Sequence, residues 1–261
     1  MTRLKVQLTN GILNVVLARP AMRNAFDIVT IEELTGVFTS CGRPGEYHSA
    51  RALVLSGEGA SFCSGADLGY MESMSNFSLE ENRKDADRLF AMFESVRACA
   101  VPVVVVAHGH AMGGALGIAA CADVTLAVTG TQMRFSEVRL GILPAVISPF
   151  VLQKMSASWA RRWMMTGELF DADQAKAAGL FQFVGSATEV ETEKKKVLTA
   201  ILEAAPMSVV RTKALLNEIG FDDPLKVRDK VAEAIAELRA SDEGKEGLSA
   251  FLNKREPKWR T

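Results

Sequence analysis

The stretch that decides the fold is residues 103–117, which read VVVVAHGHAMGGALG. Its four valines predict a buried β-strand, and the glycine-rich run after them predicts a tight turn that opens a helix over 113–122. The first amides of a helix have no partner within it, and the helix dipole favours negative charge at that end. We therefore expect an anion-binding site at the start of this helix, and the expected anion is an oxyanion that develops during a reaction.

A second segment, residues 52–68, has the same design, because a strand over 52–55 leads into a turn rich in Gly and Ser. If both turns face one cleft, the amides of Ala66 and Gly114 can donate to the same oxygen. One donor of this kind typically changes the rate by about 10²–10³-fold. The glycine pattern alone also fits two ordinary βα turns, so other residues must decide between ordinary turns and an oxyanion site.

Composition excludes several classes of protein. The chain has 261 residues, 48% of them hydrophobic, which suffices for a large buried core. Its formal net charge of −1 offers no overall attraction to nucleic acid or to anionic membranes. The amino terminus alternates as a strand does and lacks a signal-peptide pattern, so we expect a cytoplasmic protein. No CxxC pair is present, which predicts buried thiols and neither a disulfide framework nor a metal site at the cysteines, Cys41, Cys63, Cys99 and Cys121.

Residues 101–128 are apolar enough to suggest a membrane span. A proline, two histidines, an aspartate and several glycines interrupt the run, and such residues are costly in a bilayer. The stretch therefore predicts buried core.

Local patterns predict an α/β protein with a helical tail. Asn10-Gly11 between two alternating runs predicts a hairpin of 4–8 with 12–17. Asp27 is expected to cap a helix that ends near Ser40. A strand, turn, helix and strand then recur with a period of roughly fifty residues, which favours stacked α/β units. From residue 189 onward the pattern is helical, over 189–204, 208–219, 224–239 and 244–252.

A helix over 80–98 is predicted between these units, with one buried stripe made of Leu89, Phe90, Met92, Phe93 and Val96. Its charged residues, Asp85 among them, are expected to form a solvated face. The Met- and Ser-rich stretch 69–79 before it suits a mobile loop or a variable acyl pocket. Further along, Ser158 is expected to cap a helix that Gly167 ends.

Three motifs carry a resemblance to a known family. They read FCSGADL at 62–68, GHAMGGA at 109–115 and FSEVRLGILP at 135–144. Their order and spacing resemble the enoyl-CoA hydratase/isomerase (crotonase) family over essentially the whole chain. The resemblance implies a crotonase-like spiral of ββα repeats over 1–188. It also implies a C-terminal helical region over 189–261 that builds homotrimers, or hexamers as dimers of trimers.

The resemblance also implies what the residues do. Ala66 and Gly114 are the implied oxyanion-hole amides, and Glu137 falls on a catalytic glutamate of the family. The substrate is a coenzyme A thioester, so coenzyme A arrives with the substrate and no separate cofactor is needed. The other implied or candidate substrate-binding positions are Arg23, Ala25, Asp67, Leu68, His110, Gly113, Gly117, Pro144 and Lys254.

The residues around Glu137 support an acid/base role. Apolar neighbours on both sides predict a buried carboxylate whose pKa is raised toward the range useful in proton transfer. The alternative is a surface glutamate that pairs with Arg134 or Arg139.

The main departure from the family is Gly117. Its hydratases carry a first glutamate at this place, and the two carboxylates together align and activate water. Glycine has no such group. Either His110, Asp67 or Glu72 supplies the second polar contact, or the enzyme runs a one-carboxylate reaction such as double-bond isomerisation.

A second departure is PAVISPF at 144–150, where many relatives have a glycine run. It resembles the bacterial methylglutaconyl-CoA hydratase-like branch of leucine or branched-isoprenoid catabolism. We therefore expect a hydro-lyase acting on a branched enoyl-CoA, with an isomerase or an acyl-thioester decarboxylase as alternatives. A non-catalytic RNA-binding or scaffold homologue is the alternative of another class. The lack of a basic stripe with aromatics argues against RNA.

Overall fold

The amino-terminal hairpin begins the main sheet. The structure is a computed structural model that describes residues 1–260. β1 (Leu4–Thr9) pairs antiparallel with β2 (Ile12–Leu17). Asn10 and Gly11 between them have φ angles of +51° and +75°, as a tight hairpin turn requires. The predicted hairpin is confirmed.

Four parallel strands extend this sheet. β2 pairs with β3 (Ala52–Gly57), which pairs with β4 (Val103–Ala107). A small second sheet contains β5 (His110–Met112), which follows β4 directly. The remaining strands are β6 (Val124–Val128) and β9 (Phe183–Gly185) beyond β4 in the main sheet, and β7 (Gln132–Arg134) and β8 (Phe170–Asp171) beside β5 in the small one.

Helices follow most of the strands, and several have the caps that the sequence predicts. The Asp27 side chain accepts from Thr30 N–H at 2.8 Å at the start of the first helix, and Gly167 ends the sixth in a left-handed conformation. In chain order the helices are α1 (Ile28–Ser40), α2 (Leu68–Met74), α3 (Leu79–Arg97), α4 (Gly114–Cys121), α5 (Ser148–Lys154), α6 (Ala157–Thr166), α7 (Ala172–Ala177), α8 (Ala187–Glu203), α9 (Pro206–Ile219), α10 (Arg228–Ala240) and α11 (Asp242–Leu252).

The main sheet is covered on both faces, because alternate residues of each strand point to opposite sides. Leu53, Leu55 and Val105 enter the large core, which α1, α3 and α4 close. Val54 and Val104 point to the other face and meet α8, which buries its side chains Val190 and Leu198 there. The first of the C-terminal helices therefore packs on the sheet itself.

Three local predictions were wrong. Most of the stretch predicted as a mobile loop is the short helix α2, because Asp67 accepts hydrogen bonds from two amides of its first turn. The variable acyl pocket stays a prediction. Asp85 is buried and accepts a hydrogen bond from the Tyr70 hydroxyl, so it is not on a solvated face. Ser156 rather than Ser158 precedes α6.

The predicted core stripe of α3 is confirmed in part. Met92, Phe93 and Val96 are fully buried. Phe90 remains 44% exposed and packs beside Phe150, with 5.3 Å between ring centroids. Within residues 1–260, all four cysteines are buried free thiols, and no helix is long and apolar enough to cross a membrane.

Candidate active site

Backbone pairing places the 63–67 segment beside the turn that precedes α4. Cys63 N–H donates to His110 O at 3.1 Å, and Met112 N–H donates to Cys63 O at 3.0 Å. The φ of Gly65 is +94°, a backbone conformation that glycine adopts without strain.

The residue Phe26 links the two segments that carry the candidate oxyanion-hole amides. Its N–H donates to Gly65 O and its carbonyl accepts from Asp67 N–H, both at 2.8 Å. Its ring lies against the start of α4, because a Cβ at Gly114 would be 3.2 Å from Phe26 Cε2. Ala66 and Gly114 therefore lie on either side of one phenylalanine.

Both candidate amides are free to bind a ligand. The pairing with Phe26 uses the groups on either side of Ala66 and leaves the Ala66 N–H without an acceptor among residues 1–260. Gly114 is the first residue of α4, and its N–H has no acceptor within the same residues. Two unpaired amides, one of them at a helix N-terminus, are suited to hold a negatively charged oxygen.

Glu137 stands next to this turn. It begins a short 3₁₀ helix, Glu137–Leu140, just after β7. Gly113 N–H donates to Arg134 O at 2.9 Å, which ties the start of α4 to the strand that delivers the glutamate. Glu137 Oε1 lies 3.4 Å from the position that a Cβ would take at Gly113. Any side chain at residue 113 would therefore contact the carboxylate.

The Glu137 side chain is half-buried, and one of its two carboxyl oxygens is buried without a hydrogen bond from the described part of the chain. Its Oε2 accepts no hydrogen bond within residues 1–260, and burial raises the pKa of the carboxyl above its usual value. Arg139 is engaged elsewhere, since its Nε donates to Gly167 O at 2.6 Å, and neither Arg134 nor Arg139 forms an ion pair with Glu137. The surface-pair alternative is therefore wrong for this chain.

The position of the missing glutamate is sealed by apolar side chains. Gly117 lies buried in α4, where a Cβ would meet Ile147 Cγ2 at 2.5 Å and Phe93 Cε1 at 2.7 Å. Real Cβ atoms do not approach other atoms that closely, so even alanine needs its neighbours to move. A hydrophobic wall thus replaces the second carboxylate.

The three side chains considered as substitutes for that carboxylate have other positions or partners. His110 Nδ1 is 3.0 Å from Ser61 Oγ. Asp67 caps α2 and pairs with Arg19 at 3.0 Å. Glu72 is exposed on α2. The three atoms nearest to a Cβ at Gly117 belong instead to Ile147 and Phe93.

The remaining candidate positions differ in exposure. Arg23 and Lys254 are exposed, have φ angles near +50° and form no ion pair with residues 1–260. Ala25 is buried, and its carbonyl accepts from Arg19 at 2.8 Å. Leu68 is 77% exposed at the start of α2, and half-buried Pro144 follows exposed Leu143.

Sequence reasoning missed residues that shape the site. Arg19 contacts Asp27 at 3.2 Å, Asp67 at 3.0 Å and the Ala25 carbonyl. Buried Asn24 donates to the carbonyls of Glu58 and Ser61. Only the polar character of a loop between two apolar runs pointed to them, and that signal does not identify partners.

A strand, turn and helix unit with free amides beside one buried carboxylate defines an enzyme of the crotonase fold class. A sequence profile described as enoyl-CoA hydratase/isomerase matches residues 7–261, and the chain belongs to this family. Its relatives include the crotonyl-CoA hydratase of Syntrophomonas wolfei, which is 28% identical over 91% of this chain and 90% of its own length.

Solved structures agree with this fold. An enoyl-CoA hydratase from Shewanella pealeana superposes with a TM-score of 0.92 at 34% identity and covers 98% of this chain and 96% of its own. Pseudomonas aeruginosa AtuE gives a TM-score of 0.94 at 32% identity, over 99% of this chain and 100% of its own. The fold predicted from the three motifs is confirmed.

Proposed function

We propose that the protein is a hydro-lyase that adds water to a branched enoyl-CoA such as methylglutaconyl-CoA. The amides of Ala66 and Gly114 hold the thioester oxygen, and Glu137 is the acid/base. The observation that carries this proposal is the buried Glu137 Oε2, which accepts no hydrogen bond, beside a turn whose Gly114 amide has no acceptor within the described residues. Both are groups that a native protein rarely leaves unpaired without a functional reason.

One carboxylate can complete the reaction. Water attacks the β-carbon, and its oxygen forms the new C–O bond while Glu137 takes one of its protons. The electron pair of the double bond moves to the thioester oxygen, where the two amides stabilise the enolate. Glu137 then returns the proton to the α-carbon. The sum is one water added across the double bond, and the carboxylate is regenerated.

The choice of a branched substrate rests on a different segment of the chain. Residues 144–150 depart from the glycine run of many relatives, and the exposed apolar side chains Leu140, Ile142 and Leu143 lie just before them. A surface of this kind suits contact with an acyl chain. A place in leucine or branched-isoprenoid breakdown follows from this choice and is part of the proposal. A cytoplasmic location is also proposed, on the amino-terminal sequence pattern.

An oligomer is also part of the proposal. Large apolar side chains are exposed on the C-terminal segment, and soluble monomers rarely leave many of them in contact with water. Those most exposed are Phe221, Leu225, Phe251 and Leu252. We propose that they are covered in a homotrimer, or in a hexamer built from two trimers.

A double-bond isomerase is the second candidate function, with a thioester decarboxylase as a variant of it. The apolar wall at Gly117 favours both, because neither reaction needs a second carboxylate to hold water. An RNA-binding role has less support, since the net charge is −1.

Incubation with a panel of enoyl-CoA and glutaconyl-CoA thioesters in heavy water separates these reactions. Mass spectrometry distinguishes the addition of a whole water, the exchange of deuterium alone and the loss of carbon dioxide. The proposal predicts water addition, with the highest kcat/KM on a branched substrate. Exchange without addition would favour the isomerase, and turnover of no thioester would contradict all three reactions.

A further inference from the structure

The hydroxyl of Ser136 has no partner and faces the same space as the Glu137 carboxylate. A Cβ built at Gly113 would lie 3.7 Å from Ser136 Oγ and 3.4 Å from Glu137 Oε1. Glycine leaves that position open, so the hydroxyl and the carboxylate border one small space beside the turn that precedes α4.

The conformation of Ser136 leaves its hydroxyl free. Serine before a helix normally caps it, as Ser78 does for α3 and Ser186 for α8. Ser136 precedes the 3₁₀ helix that begins at Glu137, yet its side chain makes no capping bond and no other hydrogen bond within residues 1–260. Only its main-chain carbonyl is used, by Arg139 N–H at 3.0 Å. The hydroxyl is therefore available to a ligand.

Other polar groups are less well placed for this role. The wall of Phe93 and Ile147 excludes any side chain at residue 117. His110 and Asp67 are already paired, with Ser61 and Arg19 respectively. Ser136 is half-buried, unpaired and adjacent in sequence to the carboxylate that it accompanies.

We propose that Ser136 holds the attacking water together with Glu137, in place of the carboxylate that the family's hydratases carry at position 117. One O–H of the water donates a hydrogen bond to the serine oxygen. Glu137 removes the other proton of the water as the water oxygen bonds to the β-carbon. The serine keeps its own proton throughout. This inference rests on the proposed hydratase function and adds the residue that makes hydration feasible with one carboxylate.

The test compares Ser136→Ala with Ser136→Thr, which retains a hydroxyl. The matched control is Ser156→Ala, because Ser156 also precedes a helix without capping it. Two reactions are measured for each variant. One is hydration of crotonyl-CoA and 3-methylglutaconyl-CoA; the other is deuterium exchange at the α-carbon of butyryl-CoA in heavy water. Exchange needs the amides and Glu137 but no held water, so it reports whether the carboxylate is still in place.

We expect Ser136→Ala to lower kcat for hydration by about 10- to 100-fold, as the loss of one hydrogen bond in the transition state does. The KM for hydration and the rate of exchange should stay near wild type. Ser136→Thr should recover most of the hydration rate, and Ser156→Ala should change neither reaction.

Unchanged hydration in Ser136→Ala would overturn the inference and leave the role of Glu137 intact. An equal loss of hydration and exchange would also overturn it, because Ser136 would then only position Glu137. Failure of the proposed function is a different result, in which the wild-type enzyme hydrates neither probe or Glu137→Gln retains both reactions.

Discussion

Glu137 Oε2 is buried without a hydrogen bond in the described chain, and burial raises the pKa of this carboxyl above its ordinary value. The folded protein therefore holds the proton to a higher pH than the unfolded chain does. As pH rises from the unfolded pKa through the raised folded pKa, the unfolded state ionises first and the folded state loses stability. Above both the unfolded and the folded pKa, this loss of stability no longer changes with pH.

Replacing this carboxyl by an amide should therefore stabilise the protein at neutral pH. Glu137→Gln is expected to raise the free energy of unfolding in urea at about pH 8 and to lose this advantage toward about pH 4, where both states are protonated. Glu72→Gln, on the exposed side of α2, is the control and should change little at either pH. A Glu137→Gln variant less stable than wild type at about pH 8 would show that the carboxylate is well solvated.

The same titration sets the pH dependence of activity. Glu137 must be ionised to take a proton from water, so kcat/KM should rise with pH through the raised pKa and then level off. A kcat/KM that is constant from about pH 5 to pH 8 would contradict burial as the cause.

Gly117 is also constrained, by packing rather than by charge. Gly117→Ala should cost about 1–3 kcal/mol, because the new methyl meets Ile147 Cγ2 at 2.5 Å and Phe93 Cε1 at 2.7 Å. Gly36→Ala is a sharp control, since Gly36 is exposed in α1 with no atom within 4 Å of the added methyl. That change should stabilise by about 0.5–1 kcal/mol. If Gly117→Ala and Gly36→Ala changed the free energy of unfolding in urea equally, the side chains of Phe93 and Ile147 would have moved to accept the methyl group.

Among the elements, α2 and the loop before α1 depend on one arginine. Arg19 donates to Asp67, which caps α2, and to the Ala25 carbonyl, and it pairs with Asp27, which caps α1. Ala66 lies directly before Asp67. The arginine thus fixes the loop that carries one of the two candidate oxyanion-hole amides.

Arg19→Leu should therefore affect both stability and catalysis. Loss of these charged hydrogen bonds should cost about 1.5–3 kcal/mol in urea unfolding, and kcat should fall because the Ala66 amide is less well oriented. Lys84→Leu removes an exposed pair with Glu80 and should cost no more than about 0.5 kcal/mol. An Arg19→Leu enzyme with wild-type kcat would show that the loop holds its shape without the arginine.

Some elements were predictable from sequence and others were not, for a physical reason. The hairpin at Asn10-Gly11 and helix α1 after Asp27 are specified by residues within a few positions of each other. The small sheet was missed because its strands have only two or three residues and form by pairing across long stretches of chain, as between His110 and Gln132. Short strands of this kind carry no periodic pattern.

The site shows the same division. The resemblance named Ala66, Gly114 and Glu137, which lie near one turn in the structure, and their catalytic roles remain predictions. Phe93 and Ile147 fill the space beside Gly117. They are distant in sequence and come together only through packing, so the sequence did not predict this. The free hydroxyl of Ser136 is likewise a matter of conformation, because its residue type alone predicts a capped helix.

For the whole molecule, the exposed apolar side chains of the C-terminal segment predict assembly. Phe251 and Leu252 are 81% and 77% exposed at the end of α11. Light scattering should give three or six times the chain mass, and changing both residues to glutamate should shift it toward the monomer. Leu79→Glu, outside this segment, should leave the mass unchanged. A monomeric wild-type protein would contradict the proposed trimer.

The most direct measurement of the central claim is steady-state turnover of Glu137→Gln beside its affinity for coenzyme A. In the proposed reaction Glu137 carries the proton, so kcat should fall by about 10²–10⁴-fold. The Kd for coenzyme A should barely move, because the carboxyl lies at the acyl end of the proposed site. Full turnover in the variant would contradict the assignment of Glu137 as the acid/base.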